Sequence, residues 1–263
     1  MVSFISLSSG SNGNCYYIGN EKVSLLIDFG IGCRTVAKRL ATRDIKLKDV
    51  DMVLVTHEHM DHIRYLGGFV ERFKKVVFAT KNLHRVLNGH FCTAGRLDGF
   101  VKDTTPGEET ECLGIKFTPF SVMHDARDTV GYYIDFFGET FTFITDIGQV
   151  TDEVVGYCRR AKHLIVESNY DVEMLWNGPY SDSLKHRIVE DHGHLSNDQT
   201  AGLLKQSYHE GLESVYLCHL SANNNLPSIA EKSARAALDS VGGNAVPVFA
   251  LPRREASPVF RFE

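Results

Sequence analysis

Short runs of β-branched and aromatic residues alternate with amphipathic helical stretches along almost the whole 263-residue chain. That alternation restricts the chain to the α/β class. Strands are predicted at 2–7 (VSFISL), 23–28 (VSLLID), 52–55, 76–80 (VVFAT), 163–168 (HLIVES), 214–219 (SVYLCH), 245–251 and 258–262. Helical periodicity covers 33–42, 65–74, 81–88, 151–161, 181–190, 196–207 and 227–241, and Ser196-x-x-Gln199 opens one of these with a capping-box signature. From 108 to 145 the pattern becomes a meander, with Phe137-Gly138-Glu139 as a hairpin turn. Two sheets with helices outside accommodate this order better than one parallel sheet. No Pro/Gly/Ser linker divides the chain, so residues 1–263 read as a single domain.

Composition narrows the function. With 43% hydrophobic and 23% charged residues the chain is an ordinary globule rather than a disordered tail. No apolar run approaches the ~20 residues of a membrane helix. A net charge of −5 offers no general basic excess for nucleic acid. Local basic pairs such as Arg253-Arg254 read as solvated faces. Six cysteines are scattered without a C-x-x-C pair, which predicts reduced thiols. The opening segment MVSFISLSSGSNGN lacks a basic stretch and a sustained apolar run. It does not read as a secretory signal, and a cytoplasmic protein is expected.

The chemistry concentrates in Thr56-His57-Glu58-His59-Met60-Asp61-His62, directly after the strand 52–55. Three histidines and an aspartate in this spacing place four metal-competent donors within six residues. Such a cluster would repel itself on protonation unless a cation organised it. Further candidates close later strands: Asp28 ends LLID, His124 follows the run 115–122, Asp146 ends TFITD and His219 ends VYLCH. Taken singly, each reads as a structural hydrogen-bonding residue. Their recurrence at strand ends makes a set of nitrogen and oxygen donors, suited to Zn²⁺, Mn²⁺ or Fe.

The histidine loop resembles the hallmark of the metallo-β-lactamase superfamily. That resemblance implies a four-layer αββα sandwich, two mixed β-sheets with helices on the outer faces. It implies two divalent metal ions: one held by His57, His59 and His124, the other by Asp61, His62 and His219, with Asp146 bridging them. Asp28 would brace the loop. Glu167 followed 27 residues later by His194 is similar to the pair in tRNA 3′-processing enzymes of this fold. There the carboxylate orients an imidazole that acts on the scissile phosphate. Asp61 would orient the nucleophile, and His192 and His186 read as solvent residues.

The return to strands after 245 and the chain length lead to the expectation of no C-terminal helical region of the glyoxalase-II kind, no β-CASP insertion and no flavin domain. The set SLSSGSNGNCYYIG, THEHMDH, VESNYD, GHLSN and CHLSANNN resembles the YycJ/WalJ family of bacterial metallo-β-lactamase-fold proteins. That resemblance implies a 5′-to-3′ DNA exonuclease linked to DNA repair, with DNA favoured over RNA. Ser11, Asn12, Asn223 and Asn224 become candidate substrate contacts. From the residues alone two alternatives stay open. One is a metallohydrolase of a small thioester, lactone or cyclic phosphodiester; the other is a metal-bound regulatory protein.

Overall fold

The computed structural model describes residues 1–263, which fall into two compact units. The first comprises Met1–Leu113, Ala126–Thr129 and Pro252–Glu263, and the second Gly114–Asp125 and Val130–Leu251. All six cysteines are free. No helix is long and apolar enough to cross a membrane.

The first unit contains β1 (Val2–Ser8), β2 (Cys15–Gly19), β3 (Ser24–Ile27), α1 (Cys33–Ala41), β4 (Met52–Leu54), α2 (Met60–Ile63), α3 (Leu66–Phe73), β5 (Val76–Thr80), α4 (Lys81–Gly89), β6 (Val101–Thr104) and β7 (Thr110–Cys112). The last strand of the chain, β14 (Phe260–Phe262), returns to it, giving a sheet of order β14-β1-β2-β3-β4-β5-β6. Strands β3 to β6 are parallel, and the remaining pairs are antiparallel. The apolar runs LLI and MVL form buried parallel neighbours, as expected where both faces of a strand are covered. Their register pairs Ile27 with Leu54, so Asp28 and Thr56 emerge side by side from the same edge. A core of Leu26, Val53, Phe29, Phe69 and Leu66 packs beneath that edge.

The second unit contains β8 (Ile115–Ser121), β9 (Val130–Phe136), β10 (Glu139–Ile144), α5 (Asp152–Cys158), β11 (His163–Glu167), α6 (Val172–Asn177), α7 (Asp182–Val189), α8 (Asn197–Ser207), β12 (Ser214–Cys218), α9 (Pro227–Asp239) and β13 (Val248–Ala250). Within this unit the strands take the order β13-β12-β11-β10-β9-β8. Strands β10 to β13 run parallel, with Ile144 opposite Val166 and Glu167 opposite Cys218. The residues just beyond these pairs, Asp146, Ser168 and His219, therefore leave the sheet at one edge. Open parallel sheets bind ligands at this edge, outside the carboxyl ends of the strands. The β9–β10 hairpin turns through Phe137 (φ 57°) and Gly138 (φ 93°), the double left-handed pattern of a type I′ turn. At α8, Ser196 accepts from Gln199 N while the Gln199 side chain reaches the Ser196 N–H, which completes the predicted capping box.

Candidate functional site

In the first unit the donors stand on a loop held by its neighbours. Three backbone contacts tie the segments together: Asn14 N donates to Asp61 O (2.7 Å), Gly30 N to Asn14 O (2.8 Å) and Phe29 N to His62 O (2.7 Å). Phe29 stacks on Phe69 with ring centroids 4.5 Å apart, which fastens the loop after β3 to α3. Gly30 is required by close approach, because a Cβ there would lie 1.7 Å from the Asp61 carbonyl oxygen.

The Asp28 carboxylate is fully buried and occupied by hydrogen bonds. Oδ1 accepts from Thr56 N at 2.9 Å, and Oδ2 accepts from Thr56 Oγ1 at 2.8 Å and from His62 Nδ1 at 2.7 Å. Thr56 Oγ1, having given its proton to Asp28, accepts from His57 Nδ1 at 3.0 Å. These partners assign the Nδ1–H tautomer to both His57 and His62 and leave Nε2 as the lone-pair nitrogen. At His62 that nitrogen accepts from Asn14 Nδ2 at 2.9 Å. The His57 ring lies 4.7 Å from His59 and 4.0 Å from His62, centroid to centroid, and Asp61 Oδ2 is 3.5 Å from His62 Nε2. A carboxylate that fixes the tautomer of a neighbouring histidine is the usual outer support of a metal ligand. The donor set therefore fits a divalent cation.

The second unit builds its half in the same manner. His124 Nδ1 donates to Gly193 O at 3.0 Å, which again leaves Nε2 as the lone-pair nitrogen. Gly148 lets the chain pass the 191–193 backbone, where a Cβ would meet Asp191 O at 2.4 Å. Asp146, Glu167, His194 and His219 bring their donor atoms within 4.8 Å of one another. His219 Nδ1 is 3.0 Å from Glu167 Oε1 and 3.2 Å from Asp146 Oδ1. His194 Nδ1 is 2.8 Å from Glu167 Oε1, so the expected carboxylate–imidazole pair is formed.

Glu167 is fully buried, and its Oε2 accepts from Ile147 N and Leu195 N. Burial alone would raise this carboxyl. The charge and hydrogen bond of His194, with a further bond from His219, outweigh burial and bring it to about 2. Burial likewise pulls His194 down, but the Glu167 carboxylate and Asp146 reverse the sign and raise it. At His124 burial wins over Asp146, and its imidazole is held below the ordinary histidine value.

Asp28, Asp146 and His219 all have positive φ, at 59°, 47° and 54°. Each ends a strand and turns the chain as it delivers its donor. Left-handed non-glycine residues concentrate at functional sites because only a well-determined surrounding sustains them.

A family model, the β-lactamase superfamily domain, matches residues 24–220. Exodeoxyribonuclease YycJ of Bacillus anthracis is 34% identical over 245 residues, covering 92% of this chain and 90% of the relative. The chain belongs to the metallo-β-lactamase superfamily and, within it, to the YycJ/WalJ family. Exodeoxyribonuclease WalJ of Streptococcus pneumoniae is 33% identical over 226 residues, covering 85% of this chain and 83% of the relative. The fold is that of the Bacillus subtilis metallo-β-lactamase fold protein YhfI, with a TM-score of 0.72 at 16% identity, over 99% of this chain and 100% of that one.

Within this YycJ/WalJ chain, the other predicted residues divide by exposure. Ser11 and Asn12 lie at the surface, with Asn12 Oδ1 accepting from Arg254. Asn223 is exposed and donates to Tyr180 Oη at 3.2 Å. Asn224, the remaining candidate substrate contact, is fully buried. The loop that carries it folds inward, where Asn224 O accepts from Asp171 N. Sequence reasoning left three supporting residues without a role: Asn14, Thr56 and Asn169, whose Nδ2 lies 2.9 Å from His219 O. Their only signal is position, since each is a small polar residue in the segment beside a predicted donor.

Proposed function

We propose that this protein is a metal-dependent phosphodiesterase acting on nucleic acid, a 5′-to-3′ DNA exonuclease of the cytoplasm that serves DNA repair. Two divalent ions, zinc or manganese, would be held at one centre in a single functional domain. His57, His59 and His124 would hold the first ion and Asp61, His62 and His219 the second, with Asp146 serving both. The support is the donor chemistry of each unit, the histidine tautomers that present Nε2, and membership of a family whose relatives are named exodeoxyribonucleases. When bound, the ions supply Lewis-acid polarisation of the phosphoryl group and an activated water.

The chain's own residues do the rest. Asp61 orients the nucleophile on the face of the phosphorus opposite the leaving oxygen. His194 is the acid, and the observation that carries this reading is its 2.8 Å contact with the buried Glu167. That contact occupies Nδ1 and leaves Nε2 for a reacting group. The same carboxylate raises the imidazole, the direction needed for a group that gives a proton to the departing 3′-oxygen. General acid help of this kind contributes about 10²–10⁴-fold.

The test uses 5′- and 3′-labelled single and duplex strands of DNA and RNA with added Mn²⁺. The reading expects stepwise release of mononucleotides from the 5′ end of DNA. It expects Asp61→Asn and His59→Ala to abolish that release, and His194→Ala to lose turnover while keeping its metal. Full activity in both Asp61→Asn and His59→Ala would discard the mechanism.

A further inference from the structure

A pocket of about 280 Å³ opens in the first unit beside the loop that carries Asp61. Asn12, Gly32, Arg39, Arg64, Tyr65 and Arg254 line it, and no acidic residue does. Arg64 and Tyr65 directly follow α2, which bears Asp61 and His62. The inner wall includes Gly30, pressed against the Asp61 carbonyl. The pocket and the donor loop therefore share one backbone.

Two of the three charges here lack an acidic partner. Arg39 donates to the carbonyls of Leu7 and Arg254 and feels the negative charge of Glu255. Arg254 meets only the neutral Asn12 amide, at 3.2 and 3.3 Å. Arg64 is exposed and makes no ion pair. Clustered guanidinium groups repel one another unless an anion joins them, and this cluster sits in a chain of net charge −5. Arginine's planar fork suits the oxygens of a phosphate. Tyr65, 43% exposed, sets its ring edge 3.8 Å from where a Gly32 Cβ would be, so an aromatic face stands on the same rim.

We infer that this pocket is the strand-binding subsite of the enzyme. Arg64 and Arg254 take a phosphodiester group of the nucleic acid, Arg39 adds positive potential from below, and Tyr65 stacks on the adjoining base. The assignment rests on the nucleic-acid reading above and deepens it by naming where the strand lies.

The experiment measures binding of a fluorescent single-stranded DNA of about 20 nucleotides to the metal-loaded protein across a salt series, with phosphorothioate linkages in the strand so that no turnover occurs. Each phosphate contact on a single strand contributes about 0.7 to the slope of log affinity against log salt. Arg64→Gln and Arg254→Gln are each expected to lower the slope by about that amount, and the double variant by about twice as much. Tyr65→Ala weakens binding by about ten-fold, while Tyr65→Phe retains it, as stacking requires. Arg85→Gln, on the exposed face of α4, serves as the control and leaves the slope in place. Melting curves verify that every variant is folded. An unchanged slope in the double variant, or an equal loss in Arg85→Gln, overturns the subsite. Wild-type protein that fails to bind DNA or RNA strands at low salt overturns the nuclease reading together with it.

Discussion

Asp28→Asn isolates what the buried carboxylate does. Asparagine is isosteric and tolerates the left-handed conformation at φ 59°, so the backbone has no reason to move. The amide offers one acceptor where the carboxylate met three donors: Thr56 N, Thr56 Oγ1 and His62 Nδ1. Two placements exist. With its oxygen toward Thr56 N, the NH₂ faces Thr56 Oγ1 and His62 Nδ1. His62 must then move its proton from Nδ1 to Nε2, the nitrogen meant for a cation, while Thr56 Oγ1 has a second lone pair with which to keep accepting from His57 Nδ1. Loss of such a supporting partner costs about 10–100-fold in metal affinity. With the amide flipped, the buried Thr56 N–H loses its acceptor, at about 1–3 kcal/mol. For a chain of this size that corresponds to roughly 2–12 °C in Tm. One penalty or the other must appear. Competition of apo-protein against a chelating dye, with Tm measured on the same preparation, separates them. A folded Asp28→Asn protein with wild-type Tm and wild-type affinity for both ions would refute the tautomer argument.

Other outcomes follow from single contacts. Gly30→Ala should lose more than about 3 kcal/mol in urea unfolding, because the Asp61 carbonyl cannot yield to a Cβ; a loss below 1 kcal/mol would contradict the close approach. Phe137→Asn should stabilise the β9–β10 hairpin by about 1 kcal/mol in the same assay, since Asn-Gly suits a type I′ turn better than a phenylalanine held at φ 57°. Acid should unfold the second unit through Glu139 and His163, whose Oε2 and Nε2 are 3.0 Å apart. Burial raises the Glu139 carboxyl, but hydrogen bonds from Lys162 and His163 outweigh it and hold it below its ordinary value, and burial holds His163 down. Both folded values lie below the unfolded ones, so both groups contribute stability at neutral pH. That stability is lost as pH falls below about 6.5 for the imidazole and about 4.3 for the carboxyl. Tm measured from pH 4 to 8 should show a shallower acid limb in His163→Gln, which removes the imidazole and weakens the lowering of Glu139, and parallel curves would exclude this linkage.

The legible part of the molecule was the part governed by hydrophobic periodicity. The strand runs 76–80, 163–168 and 214–219 and the helices 81–88 and 196–207 appear within a residue or two of their predicted ends. Strand-end donors were legible for the same reason, because an apolar run closing on Asp, His or Glu marks where a buried strand meets solvent. Three kinds of element escaped. β6 (VKDT) and β7 (TEC) are polar strands whose backbone pairing is not written in their side chains. β2 (CYYIG) is wholly buried, yet follows a turn-rich segment that masks it. α2 and α6, at four and six residues, are too short to display a period. The helix predicted over 151–161 stops at Cys158, where the Arg159 N–H already closes on Val155 O. The dihedrals of Asp28, Asp146 and His219 had no marker at all, since no glycine announces them.

Those three turns carry a consequence for how the protein ages and warms. Each begins where the last rung of its strand ends, so the geometry of the donors depends on the ends of β3, β10 and β12 and the hydrogen bonds around them rather than on the sheet interiors. Heating should slacken these tips while both apolar cores remain intact, and a resident ion would escape before the chain melts. The protein would then fail as a catalyst at a temperature where it still counts as folded.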